Sequence, residues 1–145
     1  MILYLDTSAL VKRYVVEEGS TAVATLIEQA DVVGTAVITR AETAAAFAKA
    51  VRVGALLWDE AYTIVQHFRA HWPTFIRLQT NETLIARADT LAWEMGLRGY
   101  DAVHLAAALT WQEEMGQAIA LATFDRQLWA AAQDSGLAIF PKELP

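Results

Sequence analysis

Four apolar residues, Ile2 to Leu5, stop abruptly at Asp6-Thr7-Ser8, and no other stretch constrains the fold of this chain so strongly. A run this short with branched and aromatic members suits a buried strand, and the polar cluster behind it suits the start of a helix. Ser8 or Thr7 can cap the helix that Ala9-Leu10-Val11 begins, leaving Asp6 at the mouth of a strand-to-helix turn. Open α/β sheets bind their ligands at such turns. Helix capping alone would also account for an aspartate there.

The same alternation runs on. Ser20 reads as the N-cap of a helix carrying Val23, Leu26, Ile27 and Ala30 on one face, and Val32 to Val37 reads as a strand weakened by Gly34. Thr39 and Glu42 have the spacing of a capping box at the head of an alanine-rich helix to about Val51. A helix over Trp58 to His71, a strand over Phe75 to Leu78 and a helix from Glu82 follow. The glycine-bracketed Gly96 to Tyr100 then delivers Asp101 to a long helix ending near Gly116. Ala118 to Ala122, Arg126 to Gln133 and Leu137 to Phe140 complete the series as strand, helix and strand. Strands alternating with helices predict an α/β domain around a parallel sheet. With 145 residues, 55% of them hydrophobic, a single domain spanning 1–145 is expected.

Composition narrows the chemistry. The chain has no cysteine, which excludes disulfides, thiolate nucleophiles and cysteine-bound zinc, so a metal would be held by oxygen or imidazole. No membrane-length apolar stretch or signal-peptide pattern is present, and a cytoplasmic protein is expected. A net charge of -6 argues against a protein that coats nucleic acid, without excluding a nuclease whose carboxylate pocket is neutralised locally by metal.

Asp6 and Asp125 each follow a strand and precede a helix, whereas Glu42 and Asp101 lie in first helical turns. In an open parallel sheet all four can converge on one edge. Helix N-termini favour acids by about 0.3–1 kcal/mol each, so any one of them could be purely structural. A cluster, however, repels itself unless a cation intervenes, and oxygen ligands suit Mg²⁺ or Mn²⁺. Metal-assisted phosphodiester hydrolysis is the natural chemistry of such a site.

Asp6-Thr7-Ser8-Ala9-Leu10, Thr39-Arg40-Ala41-Glu42, the stretch Leu97-Arg98-Gly99-Tyr100-Asp101-Ala102-Val103-His104-Leu105-Ala106, and Thr123-Phe124-Asp125-Arg126-Gln127-Leu128 together resemble a PIN domain, most closely the VapC type of toxin ribonuclease. The resemblance covers nearly the whole chain. It implies a three-layer fold with a central, mainly parallel sheet ordered 3-2-1-4-5. It also implies a metal site of Asp6, Glu42, Asp101 and Asp125, with Asp6 and Asp101 as direct ligands and Glu42 and Asp125 acting directly or through water. Thr7, Ser8 and Thr123 match the polar positions that support it, and Mg²⁺ or Mn²⁺ would be the cofactor. RNA as substrate, a homodimer and a small antitoxin partner of a type II pair are implied as well. Arg98 and Arg126, close to the acids in sequence, are the candidates for phosphate contacts.

The alternative from another class is a non-catalytic partner-binding module on the same fold, its acids serving as helix caps. An aspartyl phosphotransferase is disfavoured because Ser8 stands where such enzymes often carry a second acid. His104, one turn after Asp101, fits a packed or hydrogen-bonded role better than that of a ligand, since the site already has four acids. His67 and His71 have the spacing of a zinc pair but no following glutamate, and read as surface or interface residues. Trp58, Trp72, Trp93, Trp111 and Trp129 read as core or dimer packing. The helices over Thr39–Val51 and Trp58–His71 offer a surface for an antitoxin or a second copy.

Overall fold

β1 (Ile2–Leu5) is buried on both faces, and the molecule is layered around it. In the computed structural model, which describes residues 1–145, it pairs with β2 (Val32–Ala36) on one side and β4 (Ile119–Ala122) on the other. β3 (Ile76–Leu78) and β5 (Ala138–Phe140) form the edges. The order is 3-2-1-4-5, and every pairing is parallel. Helices α1 (Thr7–Leu10), α2 (Ser20–Gln29), α3 (Ile38–Arg52), α4 (Trp58–His71), α5 (Glu82–Met95), α6 (Gly99–Met115) and α7 (Arg126–Asp134) occupy the connections.

The strand period of two divides the core. Ile2 and Tyr4 join Ile119, Leu121 and the apolar faces of α5, α6 and α7 on one side. Leu3 and Leu5 join Ala9, Leu10, Phe68, Trp72 and Phe75 on the other. Asp6 continues the register of Ile2 and Tyr4, and Thr123 continues that of Ile119 and Leu121, so both polar residues fall on the α6 side. Gly34 is explained by the same packing: a Cβ there would stand 2.6 Å from the Trp111 ring of α6. The glycine that weakens the strand pattern is required by its neighbour.

Several local expectations are corrected. The first helix lasts one turn before tightening into a 3-10 turn at Val11–Arg13, and its N-cap is Asp6, not Ser8 or Thr7. Gly19, with φ 89°, precedes α2 as its N-cap, while the Ser20 hydroxyl bonds back to the Val15 carbonyl. α3 begins at Ile38, so Thr39 is already inside the helix and no capping box forms. Its hydroxyl instead lies 2.7 Å from that of Thr35. Trp72, Trp111 and Trp129 are core residues, but Trp58 and Trp93 are exposed. No helix is long and apolar enough to cross a membrane.

Candidate active site

The site begins where β1 and β4 end side by side, Leu5 opposite Ala122. Thr123 donates to Asp6 Oδ2 at 2.6 Å, and Ser8 Oγ lies 2.7 and 2.9 Å from the two Asp6 oxygens. Ser8 also accepts the Phe124 N–H at 2.8 Å, tying the two strand-ending loops together. Asp6 Oδ1 caps α1 through the Ala9 N–H at 2.9 Å, and Asp125 Oδ1 caps α7 through the Leu128 N–H at 2.9 Å. Each capping acid thus uses one oxygen for its helix and turns the other inward.

α6 and α3 bring the remaining acids. Asp101 lies in the first turn of α6, reached from the Arg98 N-cap. Arg98 spans the gap, Nε 2.9 Å from Asp101 Oδ2 and Nη2 2.5 Å from Asp125 Oδ2. Glu42 Oε1 accepts from Thr7 at 2.8 Å and lies 2.7 Å from His104 Nε2. The other ring nitrogen of His104 is 2.7 Å from the Tyr4 hydroxyl. Glu42 Oε2 has no protein partner and is open to solvent. An unpaired hydroxyl or imidazole buried at Tyr4 or His104 would cost about 1–3 kcal/mol, which their mutual bond avoids.

Asp6 and Asp101 are 3% and 4% exposed, whereas the Asp125 and Glu42 side chains are about a quarter exposed. Burial pushes the Asp6 carboxyl above its ordinary range, against the opposing pull of His104 and the hydrogen bonds from Thr123, Ala9 and Ser8. Burial also raises Asp101; Arg98 opposes this, and the charges of Asp125 and Asp6 reinforce it. Glu42 goes the other way: burial works against its charge, but the bond and charge of His104 and the bond from Thr7 prevail, holding it below its usual value.

Two buried carboxylates raised by desolvation, a neighbouring acid charge on Asp101 and an open Glu42 oxygen make a donor set that fits a hard divalent cation. No three acidic or imidazole groups stand as a ready-made cage, and Arg98 lies between two of the acids. Mg²⁺ needs only one or two protein carboxylates, because it keeps several waters.

Residues 3–134 match the family model for the PIN domain. The chain belongs to the PIN domain family. This PIN domain is 30% identical over 143 residues to ribonuclease VapC45 of Mycobacterium tuberculosis, with 99% of this chain and 97% of the relative aligned. It superposes on VapC20 of Mycobacterium tuberculosis, a sarcin-ricin loop cleaving toxin, with a TM-score of 0.65 at 15% identity and 99% of each chain covered. The VapBC-1 structure from nontypeable Haemophilus influenzae gives 0.63 at 16% identity, covering 96% of each chain.

The remaining singled-out residues of this PIN domain are dispersed. Arg126 is exposed at the first position of α7, beside a depression of about 620 Å³ also lined by Arg98, Phe124, Asp125 and Gln127. His71 pairs with the Tyr14 hydroxyl at 3.2 Å and His67 is exposed. What the pattern did not signal is Tyr4, read only as strand core. Its one clue is its spacing of two from Asp6, which puts both on the same face of β1.

Proposed function

We propose that this PIN domain is a divalent-metal-dependent endoribonuclease, the toxin of a type II toxin–antitoxin pair acting in the cytoplasm. The observation that carries the reading is that β1, β4, α3 and α6 deliver Asp6, Asp125, Glu42 and Asp101 to one braced edge of the sheet. A 30% identical ribonuclease relative, aligned over almost the full length of both chains, supports the substrate class.

Asp6 and Asp101 would hold Mg²⁺ or Mn²⁺ directly, with Glu42 and Asp125 contacting it directly or through water. When bound, the ion supplies charge neutralisation at the phosphate and makes water more acidic. In the hydrolysis water adds to phosphorus and gives up a proton, one P–O ester bond breaks, and the departing oxygen takes up a proton to leave as a hydroxyl. Glu42 Oε2, the free acceptor, orients that water, with Asp125 as a second group for it. Thr7, Ser8 and Thr123 fix the carboxylates. Arg126 and Arg98 face the depression beside Asp125, whose size suits a nucleotide and whose guanidinium groups suit a phosphate.

A small antitoxin and a second copy of the chain are the proposed protein partners. Support for the former is an apolar groove of about 320 Å³ between α3 and α4, lined by Phe47, Val51, Trp58, Tyr62 and Val65, a shape suited to an amphipathic helix. The test of the whole reading is cleavage of structured RNA by wild type, Asp6→Asn and Asp101→Asn with Mg²⁺, with Mn²⁺ and with a chelator. Activity confined to the wild type with metal is expected; equal cleavage by all three proteins would refute the site.

A further inference from the structure

α6 offers Asp101 and His104 to the same side, three residues apart, and β1 offers Tyr4 and Asp6 to the same side, two apart. Each element therefore carries one acid of the cluster and one buried polar residue behind it. Tyr4 is 0% and His104 1% exposed, and Tyr4 belongs to the apolar cluster that includes Leu105, Ala106, Ala108 and Leu121, where a phenyl ring would pack without a polar partner. Their bonds run in series from Tyr4 through His104 to Glu42, crossing from β1 to α6 to α3. Because His104 and Thr7 both converge on Oε1, the carboxylate is held at one oxygen and the other is left free.

We propose that Tyr4 and His104 are positioning residues that fix the rotation of the Glu42 carboxylate, so that Oε2 faces the acid cluster. This rests on the ribonuclease reading. Neither residue touches substrate. His104 acts on the reaction only through Glu42, and Tyr4 only through the orientation of the imidazole. Without His104 the Glu42 carboxylate keeps Thr7 alone and turns about its last bond.

A role confined to core packing makes a different prediction, because removing both buried polar partners together leaves neither unsatisfied. The test compares the full-length wild type with Tyr4→Phe, His104→Gln and the double variant Tyr4→Phe with His104→Leu. Folding is followed by circular dichroism, Mn²⁺ binding by calorimetry, and cleavage of an RNA oligonucleotide by kcat and KM separately. The double variant is expected to fold, to lose about 10- to 100-fold in kcat and about 10-fold in Mn²⁺ affinity, and to keep KM within about threefold. His104→Gln, which retains a donor toward Glu42, should recover most of both losses. A folded double variant with wild-type kcat and Mn²⁺ affinity, or a His104→Gln protein no better than the double, overturns the proposal. Should the double variant not fold, Tyr4→Phe and His104→Gln decide: wild-type kcat in the first together with full loss in the second would also overturn it. Asp101→Asn is the control for the underlying reading. If wild type cleaves no RNA, or Asp101→Asn cleaves equally, the ribonuclease assignment fails, while the Mn²⁺ titration still judges His104.

Discussion

α3 borders two regions built on opposite physical terms. Toward the sheet edge it carries Glu42, held by Thr7 and His104 at 2.8 and 2.7 Å. Toward α4 it carries Ala44, Phe47, Ala48 and Val51, which line a groove with no comparable polar bracing. In the first region the acids are immobilised by hydrogen bonds and held partly or wholly from water. In the second, Trp58 and Tyr62 stack at 5.2 Å while remaining 64% and 53% exposed. A chemical site needs geometry fixed before the substrate arrives. A docking surface needs apolar area still available to bury.

The strongest way to break this contrast is at Asp101, the acid in electrostatic contact with both Asp6 and Asp125. Asp101→Asn should lower RNA cleavage by roughly 10²- to 10³-fold, the scale of removing a preorganised group from a reaction centre. Far-ultraviolet circular dichroism should be unchanged, because the amide keeps the shape of the carboxyl. Wild-type cleavage in the variant would move the chemistry elsewhere. Next in size is the response to metal. A ligand at 100 times its Kd stabilises the folded state by about 2.7 kcal/mol, so millimolar Mn²⁺ or Mg²⁺ should raise the wild-type Tm and a chelator should reverse the rise. Asp101→Asn should show little of it. A metal response equal in the two proteins would place the ion away from this edge.

The groove is tested through its exposed rings. Trp58→Ala with Tyr62→Ala removes contacts with solvent rather than core, so the fold should lose no more than about 0.5 kcal/mol per site. Binding of the proposed antitoxin should weaken by about 2 kcal/mol or more, the range of an aromatic hot spot, read by calorimetry. Unchanged affinity would leave the groove without a role in that complex.

How much of each region can be read from the chain follows from range. Asp6 and Asp125 announce themselves locally, each at the junction of an apolar run and a helix, and the alternation of such runs indicates a parallel sheet. The strand order is legible only through family likeness, because periodicity carries no information about which strand lies beside which. Glu42 misleads locally. Thr39 and Glu42 have the spacing of a capping box, yet the helix starts two residues earlier, with Val37 as its N-cap, and Glu42 is drawn to Thr7 and His104, 35 and 62 positions away. The bond between Tyr4 and His104 spans 100 positions and has no sequence signature at all. Arg98 stands close to Asp101 in sequence, but its bridge to Asp125 depends on α6 and α7 meeting at the edge.

The subtlest expected effect concerns what the acid edge costs the fold without metal. Asp6 and Asp101 have carboxyl pKa values raised by burial above the ordinary 3.8. An acid with a raised folded-state pKa keeps its proton in the native protein over a window where the unfolded chain has already lost it. Stability therefore falls as pH climbs from about 3.8 through the raised value, and the penalty is complete above it. Glu42, lowered from 4.5, acts in the opposite sense and contributes stability that is lost as pH falls through its folded value. Asp6→Asn separates the two. Its remaining oxygen can still accept from the Ala9 N–H, and the Ser8 and Thr123 hydroxyls can rotate to accept from the amide. In chelator at pH 7 the variant should melt above the wild type, by about 2–4 °C for each kcal/mol regained. Well below pH 3.8 the advantage should vanish, because the wild-type carboxyl is then protonated in both states. A variant less stable than wild type at pH 7 would mean that the Asp6 hydrogen bonds outweigh its desolvation, and that the acid edge, like the groove, rests without strain before its partner arrives.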